Sequence, residues 1–130
     1  MNLTFVHNTI VNTGRGANLQ SWNNRPGMVF ANNAVYSQNS ESVRFANGSS
    51  GVDLAGNVVL GPVSGAASGF APGVGLSDFV DVAWDASALD ATPTVAGALI
   101  GMADPVWLVA IDLSGAALVA PYEPGCLDGP

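Results

Sequence analysis

The sequence predicts an all-β domain in which short strands wind through about three stacked circuits of parallel sheet, followed by an irregular C-terminal capping segment. Three observations predict it. Segments 2–12, 27–37 and 51–61 superpose at offsets of 25 and then 24 residues. Their apolar columns align as Leu3/Met28/Val52, Phe5/Phe30/Leu54 and Ile10/Val35/Val59. One polar column, Asn8/Asn33/Asn57, holds the same residue in all three segments. A fixed period in the range of roughly 20–50 residues marks a repeat architecture, in which each unit buries its apolar face only against its neighbours.

Within a unit, Leu3 and Phe5 alternate with Thr4, a period of two that turns one set of side chains inward. The unit reads as a short strand, a sharp corner at the Asn, and a second short strand. Asparagine suits a corner because it tolerates the left-handed backbone region and its amide bonds nearby backbone groups. Between the units lie further strand-like pieces, Ala17–Trp22 and Glu41–Ala46, which align at a 24-residue offset when Leu19 is set on Val43. Turns fall at Gly14–Gly16, Asn23–Gly27 and Asn47–Gly51. Stacked circuits place equivalent strands about 4.8 Å apart, so Asn8, Asn33 and Asn57 are expected to form an amide ladder along the stack. An antiparallel sandwich of short strands with Gly-rich turns is the competing arrangement; the repeat register favours the coil.

The chain divides into residues 1–61, the repeating circuits; residues 62–77, a Gly/Ala/Pro-rich loop or degenerate circuit; and residues 78–130, a capping and wrapping segment of the same domain. A coil of this kind ends in unpaired strand edges and an open apolar core, which need cover. Val95, Leu99, Ile100, Val106, Trp107, Leu108, Val109 and Ile111 are the residues expected to supply it, with the segment wrapping back along the flank. The outward column Val11/Tyr36/Leu60 is then either its docking strip or a sugar-binding stripe, which makes Tyr36 a candidate substrate contact. The first strand follows directly on Met1, so the remainder of a longer coil is expected as a partner on that side.

Composition narrows the function classes. The 130 residues carry 3 Arg, no Lys and 10 acids, for a net charge of −7. Residues 1–61 are net +1 and residues 62–130 net −8. Without basic clusters, nucleic acid and anionic membranes are poor partners. The most apolar window, Thr94–Ile111, is broken by Asp104-Pro105, so no membrane span is expected. One cysteine, Cys126, excludes a disulfide framework and a multi-Cys zinc site. The acidic, Asn/Gly/Ser-rich chain suits an extracellular or cell-surface setting.

The segments His7-Asn8-Thr9-Ile10-Val11-Asn12 and Asn32-Asn33-Ala34-Val35-Tyr36 give the repeat its closest likeness to a known family. It resembles the right-handed parallel β-helix, or pectin-lyase-like, superfamily. The series Asp78-Phe79-Val80-Asp81, Ser87–Ala91, Ile111–Gly115 and Ala120–Glu123 is similar to the C-terminal segment of many bacterial secreted β-helix proteins, with Ala88 in place of a usual Pro and Gly115-Ala116-Ala117 in place of a usual Gly-Xaa-Arg. The resemblance implies a polysaccharide-related scaffold. It equally accommodates a polysaccharide lyase or glycoside hydrolase whose active residues lie mainly upstream, using a base with carboxylate-held Ca²⁺ or paired acids.

Against those chemistries the sequence offers Asp53, Arg44 and His7 as catalytic candidates. The outward columns Thr4/Val29/Asp53 and His7/Asn32/Gly56 concentrate neither acids nor bases, so turn and surface roles are favoured. A single histidine excludes a multi-His metal site. Ca²⁺ is the one cofactor to weigh, at Asp78, Asp81 and Asp85; that spacing lacks a Gly-anchored loop and reads instead as turn capping, with no metal assigned. The expected function is therefore a non-catalytic scaffold module that contacts polysaccharide.

Overall fold

A computed structural model describes residues 2–129; Met1 and Pro130 lie outside the described residues. The first circuit contains β1 (Leu3–Val6), β2 (Thr9–Asn12) and β3 (Ala17–Leu19). The second contains β4 (Met28–Ala31), β5 (Ala34–Ser37) and β6 (Val43–Phe45), and the third β7 (Val52–Ala55), β8 (Asn57–Leu60) and β9 (Val63–Ser64). Each strand pairs in parallel with its counterpart one circuit away, which gives three sheets, β1-β4-β7, β2-β5-β8-β10 and β3-β6-β9, with β10 spanning Phe70–Pro72. The molecule is thus all-β, with parallel strands stacked in sheets, compatible with a β-helix.

Register follows the apolar columns: Leu3 on Met28 on Val52, Phe5 on Phe30 on Leu54, and Ile10 on Val35 on Val59. The third column differs from expectation. Ala17 lies on Val43 and Leu19 on Phe45, an offset of 26 residues, so Leu19 is not on Val43. A slip of two residues keeps the same side chains facing inward; the corner after β5, residues 38–42, is one residue longer than that after β2, residues 13–16, which raises the offset from 25 to 26. The core is aromatic at its centre. Phe30, wholly buried, stacks on Phe5 at 5.3 Å and takes Trp22, Phe45 and Phe70 against it at 6.1–6.4 Å. Offset and edge-on pairs of this kind add about 0.5–1.5 kcal/mol each beyond area burial.

The corner is also set differently from the sequence reading. The left-handed residue is the one before each ladder asparagine: His7 (φ 52°), Asn32 (φ 53°) and Gly56 (φ 63°), while Asn8, Asn33 and Asn57 keep negative φ. Asn57 begins β8, and Asn8 and Asn33 directly precede β2 and β5, so each ladder residue leads into a strand. The reversal therefore falls one residue earlier, and the third circuit meets the steric demand with glycine.

Residues 62–77 form a degenerate circuit. They supply β9 and β10 but omit the first sheet, crossing the end of the coil through Gly65–Gly69. Gly69 lies against the Leu54 backbone so closely that a Cβ there would clash. Ala66 and Phe70 pack onto the core as its plug. The plug therefore comes from this stretch, and the later segment covers the flank instead.

That segment begins with a 3₁₀ turn, Leu76–Asp78, followed by an antiparallel pair, β11 (Phe79–Val82) with β12 (Leu89–Pro93). Phe79 and Leu99 seal Ala34, Tyr36 and Val58 on the outer face of the second sheet. Of the expected cover residues, Leu99 is wholly buried, whereas Val95, Val106 and Ile111 are 72%, 75% and 56% exposed. Ile100, Trp107, Leu108 and Val109 are half-buried, and Val109 lines a cleft with Val6 of the coil. Among the described residues, no helix is long and apolar enough to cross a membrane.

Candidate functional site

The polar column forms a one-way ladder. Asn33 Oδ1 accepts from both the backbone N–H (3.0 Å) and the Nδ2 (3.1 Å) of Asn8. Asn57 Oδ1 accepts the same two donors from Asn33, at 3.0 and 3.1 Å. The Nδ2 of the second and third members also reaches back to the circuit above, Asn33 to the Phe5 carbonyl (3.0 Å) and Asn57 to the Phe30 carbonyl (2.9 Å). At the far end the Gly69 carbonyl takes the place of a fourth asparagine, accepting from Asn57 N–H (3.2 Å) and Nδ2 (3.1 Å). Buried amides in such a chain are costly to leave unpaired, so the ladder fixes register.

The catalytic candidates are not brought together. Asp53 lies exposed on β7 in the first sheet, and Arg44 exposed on β6 in the third. His7 sits buried at the corner between the first two sheets. Its Nε2 lies 3.1 Å from Asn32 Nδ2, a donor, so Nε2 accepts and Nδ1 carries the proton that bonds the Gly125 carbonyl at 3.2 Å. Burial holds His7 below its ordinary value, against the upward pull of the Gly125 and Trp107 carbonyls and the Asp128 charge. With both ring nitrogens engaged, this neutral imidazole has no free position for proton transfer.

His7 also lines a cleft of about 470 Å³ with Thr9, Asp112, Leu118 and Cys126. Its polar groups face inward to structural partners. Thr9 Oγ1 accepts from Cys126 N–H at 3.0 Å, and Asp112 accepts from Ser114 Oγ, Ala116 N–H and Asp128 N–H. Asn32, wholly buried, clamps the same segment: its Oδ1 accepts from Asp104 N–H at 2.6 Å and its Nδ2 donates to the Asp104 carbonyl at 3.0 Å. The corner column is thus an attachment line for residues 103–126.

Tyr36 is wholly buried beneath the flank segment, its ring edge-on to Phe79 at 4.8 Å and its hydroxyl donating to Asp78 Oδ2 at 2.7 Å. In this arrangement Tyr36 docks the segment and presents no surface to a ligand. Asp78 further accepts from Val74, Gly75 and Ala98 N–H. Burial alone would raise its carboxyl, but these donors outweigh it and hold Asp78 below the usual carboxylate range. Tyr36 is pushed well up by burial, reinforced by the Asp78 carboxylate. Asp81 lies exposed opposite Asp90, and Asp85 closes a turn onto Ser87, so the three acids weighed for Ca²⁺ do not converge. Among the described residues, no group of three metal-ligating side chains is assembled.

No family model, curated protein or solved structure matches the chain. One buried acid escaped the sequence reading: Glu123, 2% exposed, is pushed up to about 7, first by burial and then by the neighbouring Asp128 side chain. Among the described residues Glu123 Oε1 and Asp128 Oδ1 have no hydrogen-bond partner, while Glu123 Oε2 accepts from Gly129 N–H at 3.1 Å. Nothing in the spacing of two acids in a Gly/Pro-rich tail signals such burial.

Proposed function

We propose that this chain is a right-handed parallel β-helix scaffold module of a secreted or cell-surface protein, not itself catalytic, whose outer faces contact polysaccharide. The observation that carries the reading is the placement of its polar side chains. Asn8, Asn33, Asn57, Asn32, His7 and Asp78 all direct their hydrogen bonds into the fold, and Asp53, Arg44 and His7 stand on separate faces. The outward groups that remain, such as Thr4, Asn18, Arg44 and Ser64, are mostly uncharged hydrogen-bonding side chains on the first and third sheets. They suit hydroxyl-rich ligands, and the net charge of −7 favours uncharged polysaccharide over polyuronate.

Two assays test this together. Affinity electrophoresis in gels containing a neutral polysaccharide should retard the protein, and Asn18→Ala with Arg44→Ala should relieve the retardation. Incubation with polygalacturonate or alginate should produce no absorbance near roughly 235 nm, where unsaturated uronates absorb after elimination. New absorbance that vanishes in Asp53→Ala or Arg44→Ala would replace the scaffold reading with a lyase.

A further inference from the structure

The two ends of the ladder are unequal. At the C-terminal end, Gly69 supplies the carbonyl that Asn57 needs, Phe70 and Ala66 plug the core, Gly69 lies against Leu54 of the first sheet and Gly65 against Phe45 of the third. At the N-terminal end, β1, β2 and β3 each pair on one side only. Leu3 is 44% exposed, and Phe5, Ile10 and Leu19 are only partly buried, whereas their second-circuit counterparts Met28, Phe30, Val35 and Phe45 are buried. Among the described residues, Asn8 Oδ1 accepts no hydrogen bond, although Asn33 Oδ1 and Asn57 Oδ1 each accept two. Asn8 Nδ2 folds back onto its own Val6 carbonyl at 2.9 Å, where Asn33 and Asn57 instead reach the Phe carbonyl one circuit above.

We propose that this open end docks one further parallel circuit of the same repeat, whose corner asparagine donates its N–H and Nδ2 to Asn8 Oδ1 and whose inward apolar residue covers Phe5. The occupant is one parallel β-circuit with an apolar-Xaa-apolar strand followed by the ladder asparagine. A second copy does not fit either way round. Head to tail, it would meet the Gly65–Gly69 crossing and the Phe70 plug. Head to head, two Asn8 Oδ1 acceptors would face each other, because the donors of each Asn8 are already directed to its own Asn33. The inference deepens the scaffold reading and rests on the same coil.

The test prepends a copy of residues 27–50 to Asn2 of the full chain, which sets the copied asparagine 24 residues ahead of Asn8. A matched control carries Asn→Leu and Phe→Ser at the copied ladder and core positions. Hydrogen exchange of the Asn8, Asn33 and Asn57 side-chain amides is followed by NMR, together with thermal unfolding. The intact fusion should slow Asn8 amide exchange about tenfold and raise Tm, and the control should do neither. Unchanged Asn8 exchange in the intact fusion, with Asn33 and Asn57 still protected, overturns the docking proposal alone. Free exchange at Asn33 and Asn57 overturns the coil itself. Concentration-dependent dimerisation of the unfused chain that protects Asn8 overturns the assignment of the occupant.

Discussion

Replacing Asn33 with alanine removes the middle of the ladder and separates a hydrogen-bonded coil from a merely apolar one. Asn33 is wholly buried and takes part in four side-chain contacts: acceptor to Asn8 N–H and Nδ2, donor to the Phe5 carbonyl and to Asn57 Oδ1. Truncation deprives the Asn8 N–H of its acceptor and the Phe5 carbonyl of one donor. Asn8 Nδ2 keeps Val6, and Asn57 Oδ1 keeps the Asn33 N–H. Two part-buried backbone groups losing partners, at roughly 1–3 kcal/mol each, amount to about 3 kcal/mol after partial relaxation. Urea unfolding followed by far-UV circular dichroism measures the difference, with Asn39→Ala as an exposed control expected to shift stability by less than about 0.5 kcal/mol. Asn33→Ala as stable as that control would refute the ladder as a source of stability.

Phe30→Ala empties the centre of the aromatic stack and should cost about 3–5 kcal/mol in the same urea measurement. Tyr36→Phe removes the donor to the Asp78 carboxylate and should cost about 1.5 kcal/mol at neutral pH. Asp78 is held below its ordinary value of 3.8, so the stability it contributes is present above that pH and is lost on acidification; the gap between Tyr36→Phe and the unsubstituted chain should narrow below it. Glu123 behaves oppositely: its folded value of about 7 exceeds the ordinary 4.5, so its contribution is full below 4.5 and is lost as the pH rises through 7. Across pH 5–8, Tm of the unsubstituted chain should therefore fall relative to Tm of Glu123→Gln, and parallel curves would exclude a raised Glu123 carboxyl.

The first two sheets were legible in the sequence because alternation and period are local and repeated. Phe5, Phe30 and Leu54 are apolar at the same step, and an inward asparagine that recurs has few roles besides a ladder. The third sheet was legible only to within two residues, since a slip of two leaves the inward set unchanged and corner lengths vary freely. The left-handed corner at His7, Asn32 and Gly56 was missed because three different residue types meet one backbone demand. The fate of His7, Asn32 and Tyr36 depends on partners more than 40 residues away in a segment without periodicity, Gly125, Asp104 and Asp78. Sequence placed these residues on outward columns, and only the fold shows that those columns are covered. The burial of Glu123 arises in the same way, from chain reversal within an irregular tail.

A two-dimensional NOE spectrum with assigned asparagine side chains tests the coil most directly. Cross-peaks should run in series from the Asn8 amide to Asn33 and from Asn33 to Asn57, accompanied by contacts from the Phe5 ring to Phe30. Strong Hα–Hα contacts between β1 and β2, the mark of antiparallel neighbours, with no link from Asn8 to Asn33, would contradict it.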